Sequence, residues 1–558
     1  MQRLLATVLL TSVLVFNIPS ALAQRKSSRT QKAAPVSLAT QRGADHITAA
    51  QIRDYLSFIA SDVLEGRDTP SRGLDTAAQF LAMNMSRWGL KPAGDDGTFF
   101  QKIALSRTAV DRTETRAQMN NQTLVLGDDY IPLARTAEVP ASQLVFAGTG
   151  WLIKSKNIDA YRGIDAKGKI AIVFSPPEGL PRGVTRSDIT GRRGEDWMNP
   201  SEYAMKQGAV GIVFVPDFQY LANWDRNRTR ITERGTTVVE KFQAASSPQS
   251  PGIVAGPRLT NLLFQSEKQN ATSIFEAAYG GQPLEPFVLS AQKTLSITVR
   301  VKSDVAATQN VVGVFEGSDP VLKNEYVALG AHYDHVGVGI PVNGDAIYNG
   351  ADDDASGTTA LLAMAEALAK TSTRPKRSVL FVWHAGEEKG LWGSRYFTDF
   401  PTIPLDKIVT QINIDMIGRS KKEGDTNPRN SGLSGPNQIY VIGSKMMSTE
   451  LGELTESVNK QYLNLTYDFR YDDPTDSNRF FFRSDHYNYA RKGIPIVFFF
   501  DGVHEDYHRP GDSPEKIDYQ KMENVSRTIY LTLWEIANRA TRPKVDKPLP
   551  PQLTAGRP

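Results

Sequence analysis

Three short apolar runs, each closed by a His, Asp or Glu, constrain this chain more than any other feature. Tyr326–Leu329 leads into Gly330-Ala331-His332-Tyr333-Asp334, and Val379–Trp383 leads into Ala385-Gly386-Glu387-Glu388. Ile408–Ile412 leads into Asn413-Ile414-Asp415-Met416. A further fragment, from Gly350 to Gly357 with Asp352, Asp353 and Asp354 in it, opens a helical stretch from Thr358 to Lys370. Short apolar runs separated by a helix read as buried strands of an α/β sheet that is mixed, mostly parallel and flanked by helices. Ligands gather at the carboxyl edge of such sheets. A His, an Asp cluster, a Glu pair and another Asp should therefore converge there, as a metal site with a base beside it.

Each fragment also has a plainer explanation. A lone His after a strand is usually structural, and an Asp ahead of a helix caps it and suits its dipole. His332 is stronger than that because Asp334, two residues on, can accept the second imidazole N–H and fix the metal-binding tautomer. The Asp triplet lacks the alternating spacing of a Ca²⁺ loop. Glu387 and Glu388 follow a buried strand, where a solvated charged face is not expected. Their side chains diverge, so one carboxylate can bind metal while the other stays free as a base. Asp415 has apolar neighbours, and a buried carboxylate needs a partner such as a cation.

The chain has no Cys, which excludes disulfides, thiolate ligands and a Cys nucleophile. His and carboxylate donors with an open position suit catalytic Zn²⁺, with Mn²⁺ or Co²⁺ as substitutes. Two ions sharing a carboxylate would need about five ligands. His332, Asp353, Glu388 and Asp415 give four of them, and the fifth should be a late His. His486 precedes the run Ile494–Phe500 and His508 follows it, so the carboxyl-edge rule favours His508.

At 558 residues and 40% hydrophobic, the chain has room for more than one core. Its 64 basic and 61 acidic residues nearly balance, which argues against a nucleic-acid partner. Arg3, the apolar stretch Leu4–Phe16 and Ala21-Leu22-Ala23 form the three parts of a signal peptide over 1–23. No later stretch is apolar enough to span a bilayer, so a periplasmic or secreted protein without stable membrane insertion is expected.

A polar leader over 24–45 reads as disordered. From His46 onward Ile47, Ile52, Leu56 and Ile59 recur at helical spacing, and a second helix runs from about Leu74 to Trp88. Residues 46–119 and 293–541 read as two parts of one α/β domain. Between them, 120–292 has a different texture. Gln143–Ala147, Lys169–Phe174 and Val210–Val215 are strand-like runs between Gly and Pro, and no His occurs there. This segment reads as a β-rich insertion, and 542–558 reads as a loose Pro-rich tail.

Leu64-Glu65-Gly66-Arg67, the four fragments above, Ser484-Asp485-His486 and Asp506-Tyr507-His508-Arg509-Pro510 stand together in a characteristic order. In these blocks the chain resembles the M28 metallopeptidases, a group of di-zinc aminopeptidases and related carboxypeptidases, over about 46–118 and 295–540. The insertion resembles the protease-associated (PA) domain that many members carry at this point. The resemblance implies a zinc-peptidase fold and two Zn²⁺ per chain. His332 and Asp415 would serve one ion, Glu388 and His508 the other, and Asp353 both.

It also implies Glu387 as general base, Tyr507 as a hydroxyl donor to the oxyanion and Asp334 as support for His332. Asp485 and His486 would line the site without binding metal. The implied activity is hydrolysis of peptide substrates by an exopeptidase, foremost an aminopeptidase. A carboxypeptidase or dipeptidase is the alternative. A single-zinc glutaminyl cyclase would lack some of the five ligands, and a non-catalytic binding protein would have lost them. The sequence fixes neither the peptide terminus read nor the oligomeric state.

Overall fold

The computed structural model describes residues 42–177, 179–243 and 250–549. The expected signal peptide and the leader up to residue 41 lie outside the described residues, as does the tail from 550. Among the described residues no helix is long and apolar enough to cross a membrane.

Nine strands build the main sheet in sequence. They are β1 (Phe100–Val110), β2 (Thr236–Val239), β3 (Val301–Phe315), β4 (Tyr326–His332), β5 (Ser378–His384), β6 (Ile408–Ile414), β7 (Gln438–Ile442), β8 (Thr466–Asp468) and β9 (Ile496–Phe500). In space the order is β2-β1-β3-β5-β4-β6-β9-β7-β8, and the short pair Lys91–Pro92 adds to β3. The centre, β5-β4-β6-β9, is parallel. β2, β1 and β3 run antiparallel to their neighbours, and so does β7 against β9. The sheet is therefore mixed as expected, with parallel pairs in the middle and again between β7 and β8 at one edge. Helical crossovers, which parallel pairing requires, join β4 to β5 through Ala355–Lys370 and β7 to β8 through Thr449–Gln461.

All residues of β5, β6 and β9 are buried. Both faces of this centre are covered, which is why the strands read as continuous apolar runs and not as alternating ones. One face takes α1 (Ala49–Ile59), α2 (Arg72–Arg87), α3 (Ala355–Lys370) and the closing helix Tyr519–Asn538. A capping box, Thr48 with Gln51, starts α1, and Ser71 caps α2. Helix α3 is buried nearly all round because it lies between the sheet and the outer helices. The other face takes Trp392–Asp399, Phe480–Phe482 and His486–Ala490.

The segment between β1 and β3 forms a second, nine-stranded sheet with its own apolar clusters. Ala137–Phe146, Ile170–Phe174 and Gly211–Val215 are adjacent and parallel in it. Arg116–Met119 and Thr294–Val299 also belong to this sheet. Thr236–Val239, from the middle of the insertion, returns to the edge of the main sheet as β2 and ties the two units together.

The described ends of two stretches expected to be loose, 42–45 and 542–549, are docked. Ala44 is fully buried and the Tyr530 hydroxyl donates to the Arg42 carbonyl. At the other end Arg542 pairs with Glu325, and Leu549 packs on the apolar face. Composition undercounts such segments because one buried anchor and a few backbone hydrogen bonds suffice to hold them.

Candidate metal centre

The parallel centre delivers its strand ends to one edge. β4 ends at His332, β5 runs through Ala385 and Gly386 to Glu387 and Glu388, β6 runs into Asp415, and the loop after β9 carries Tyr507 and His508. Asp353 arrives from the turn that opens α3. There the side chains form two groups with one shared member, His332–Asp353–Asp415 and His335–Asp353–Glu388–His508. Nε2 of His332 lies 3.2 Å from Asp353 Oδ1 and 3.6 Å from Asp415 Oδ1. Nε2 of His508 lies 3.1 Å from both Asp353 Oδ2 and Glu388 Oε2. Asp353 thus turns one oxygen to each group, and all five ligands expected from the sequence converge.

The donor atoms fit divalent cations. His332 Nε2, Asp353 Oδ2, Glu388 Oε1 and His508 Nε2 are buried and have no hydrogen-bond partner among the described residues. Buried polar atoms without partners are costly, and a cation is the partner that nitrogen and carboxylate donors in this arrangement accept. His508 and Met416 both adopt left-handed backbone conformations, with φ of 53° and 61°. Non-glycine residues in that region concentrate at functional sites.

The three adjacent acids divide their work. Asp354 accepts the N–H groups of Gly357 and Met416, so it caps α3 and pins the turn after β6. Asp352 accepts the Gly418 N–H at 2.6 Å and approaches His504 Nε2 at 3.3 Å. Only the middle acid enters the centre. Helix capping thus falls to Asp354, while Asp353 is the acid shared by the two donor groups.

Glu387 lines a cleft beside the centre together with Asp353, Asp415 and Tyr507. Burial pushes its carboxyl well above the usual carboxylate range, His332 opposes this, and Glu388, Asp415 and Asp485 add to it. Burial also acts to raise Glu388, yet His335 and His508 hold that carboxyl down at about 2. Two adjacent glutamates thus differ in charge preference through their surroundings alone. The Tyr507 ring stacks on His508 with centroids 4.0 Å apart.

Asp334 works differently from the sequence reading. The Nδ1 of His332 meets the backbone carbonyl of Asp334 at 3.1 Å, whereas the carboxylate is 3.7 Å away. That carboxylate instead accepts the Glu387 N–H at 3.1 Å and the Thr69 hydroxyl at 3.0 Å. Asp485 does not face the cleft. It lies fully buried, 3.3 Å from His384 Nδ1. His486 is also behind the wall, stacked on Phe498 at 4.4 Å with neither ring nitrogen hydrogen-bonded among the described residues. Burial drives its imidazole down to about 3, against the Phe481 backbone and the Asp485 charge, which both favour the protonated ring. The start of its short helix turns it into the aromatic layer, which position in the chain does not reveal.

Two site residues escaped the sequence reading. His335 is fully buried and joins the Glu388–His508 group. Its only signal was its place three residues after His332. Arg67 is fully buried and donates to the carbonyls of Ile59, Tyr333, Asn349 and Gly350, locking together the loops that carry the ligands.

Residues 310–533 match Peptidase family M28. Leucine aminopeptidase 2 of Arthroderma otae is 26% identical over 325 residues, covering 53% of this chain and 58% of its own length. A probable zinc metalloprotease of Pyrenophora tritici-repentis is 28% identical over 257 residues, covering 42% of this chain and 58% of its own. The chain thus spans less than two thirds of these relatives. The solved aminopeptidase from Aneurinibacillus sp. strain AM-1 shares the fold, with a TM-score of 0.51, 14% identity, and coverage of 91% of this chain and 97% of that one.

Proposed function

We propose, from the match of residues 310–533 to Peptidase family M28, a metallopeptidase hydrolase family, that the protein is a zinc-dependent exopeptidase, foremost an aminopeptidase. The observation that carries the reading is the pair of donor groups sharing Asp353, with Glu387 beside them at the floor of a cleft. His332, Asp353 and Asp415 would hold one Zn²⁺, and Asp353, Glu388 and His508 a second. Bound there, the ions would supply Lewis acidity to a peptide carbonyl and to a water.

The chain's own groups do the rest. Glu387, as a carboxylate beside the two donor groups, accepts the proton of the attacking water and delivers it to the leaving amine. The Tyr507 hydroxyl, at the cleft wall, donates to the oxygen that gains charge. Asp334 fixes the backbone of Glu387, and Arg67 fixes the loops around it. Met416, Phe480, Phe498, Phe500 and Val503 give the cleft an apolar lining, with Arg483 as the one basic side chain among its described residues, which suits an apolar side chain next to the scissile bond.

We further propose export through residues 1–23, to the periplasm or the medium, and a PA-like character for the insertion. Free and N-acetylated peptides with a leucine at the first position test the central reading. Release of leucine from the free peptide alone is expected. Equal cleavage of the blocked peptide would move the assignment to a carboxypeptidase or endopeptidase.

A further inference from the structure

His335 has no part in the five-ligand arrangement, yet it is built into the centre. It is fully buried, and both of its ring nitrogens lack a hydrogen-bond partner among the described residues. Its Nδ1 lies 2.9 Å from Glu388 Oε1 and 3.8 Å from Asp353 Oδ2, and its ring meets that of His508 edge-on with centroids 5.5 Å apart.

The backbone prepares a socket for this ring. The His335 N–H donates to the Arg67 carbonyl, and Gly350 lies close against the imidazole and the Asp353 carbonyl. A Cβ at Gly350 would stand 2.5 Å from His335 Cγ, and its φ of +57° also favours glycine. Ligand atoms about 2.0–2.2 Å from a tetrahedral zinc stand roughly 3.3–3.6 Å from one another. The contacts of 2.9, 3.1 and 3.8 Å among His335, Glu388, His508 and Asp353 scatter around that spacing.

We propose that His335 is a fourth protein ligand, through Nδ1, of the metal position formed by Asp353, Glu388 and His508. This rests on the metallopeptidase reading and makes the two positions unequal. One has four protein donors, as closed zinc sites do. The other, His332–Asp353–Asp415, has three and keeps a position open, as catalytic zinc sites do. The four-donor position should hold its ion more tightly, and the three-donor position should exchange.

Titration of the metal-free full chain with Zn²⁺ and Co²⁺ tests this, in the wild type, in His335→Ala and in His335→Asn. Asparagine keeps an N–H near the place of Nδ1 but has no imidazole lone pair. Wild type should bind two ions with distinct affinities. Both variants should weaken the tighter one beyond the ~10–100-fold cost of losing an outer hydrogen bond, and leave the weaker one in place.

The Co²⁺-loaded wild type should also show three paramagnetically shifted, exchangeable imidazole N–H resonances, from His332, His335 and His508. That reading holds even if a variant fails to fold. Two resonances, or wild-type affinity in His335→Asn, would overturn the inference and leave His335 as a hydrogen-bond donor to Glu388. Absence of any metal binding by the wild type would instead overturn the metallopeptidase reading itself.

Discussion

The carboxylate of Asp334 accepts the backbone N–H of Glu387 at 3.1 Å, while the imidazole of His332 is held by the Asp334 main-chain carbonyl. The side chain therefore supports the base, and the main chain supports the ligand. Asp334→Ala should leave the metal content unchanged and lower kcat about 10–100-fold, the usual size of an outer-shell effect. Metal analysis beside steady-state kinetics checks this. Loss of an ion in the variant would return Asp334 to the support of His332.

Glu387→Gln keeps the size of the side chain and removes its ability to accept a proton. Both ions should stay bound, the thermal transition should stay within a few degrees of wild type, and kcat should fall by ~10²–10⁴. A chelated preparation of the wild type should be inactive, with activity regained on addition of Zn²⁺. Metal lost together with activity in Glu387→Gln would mean that the roles of Glu387 and Glu388 are exchanged.

Tyr507 and His508 are adjacent and stacked, yet they should separate cleanly by mutation. Tyr507→Phe removes only a hydroxyl donor, so both ions should remain and kcat should drop by ~10²–10³, the scale of one oxyanion contact. His508→Ala should lower bound metal from two ions towards one. Kinetics and metal content on the same purified samples decide between these outcomes.

His486 supplies a pH dependence of stability away from the site. Burial among aromatic rings holds its folded-state value at about 3, below the ordinary value of 6.5. Folding thus favours the neutral ring. Its contribution is fully present above about pH 6.5 and is lost as pH falls towards 3, at a cost approaching ~3–5 kcal/mol. His486→Phe should remove this loss. Denaturant unfolding at pH 8 and pH 5 should show the variant gaining on wild type only at the lower pH, with unchanged metal content. Equal differences at the two pH values would contradict the burial argument.

The sequence by itself determined the elements that local pattern encodes. The runs ending at His332, before Glu387 and before Asp415 are buried strands because only strands covered on both faces are apolar throughout. The carboxyl-edge rule pointed to His508, which lies after β9 and stands beside Asp353 and Glu388, over His486, which lies before it. Chain order and strand direction carry that information without any tertiary contact.

What only the tertiary structure decided is direction and partnership at single atoms. Three consecutive aspartates look alike in sequence, and only the packing of α3 against the turn after β6 makes Asp354 a cap, Asp352 an anchor and Asp353 the member common to both donor groups. The Asp334 carboxylate turned to Glu387 because β4 and β5 are neighbours in the sheet, which adjacency to His332 could not show. His335 entered the centre because Gly350 and Arg67, distant in the chain, make room for its ring and hold its backbone. Such contacts are set by elements far apart along the chain, so no window of sequence contains the atoms that make them.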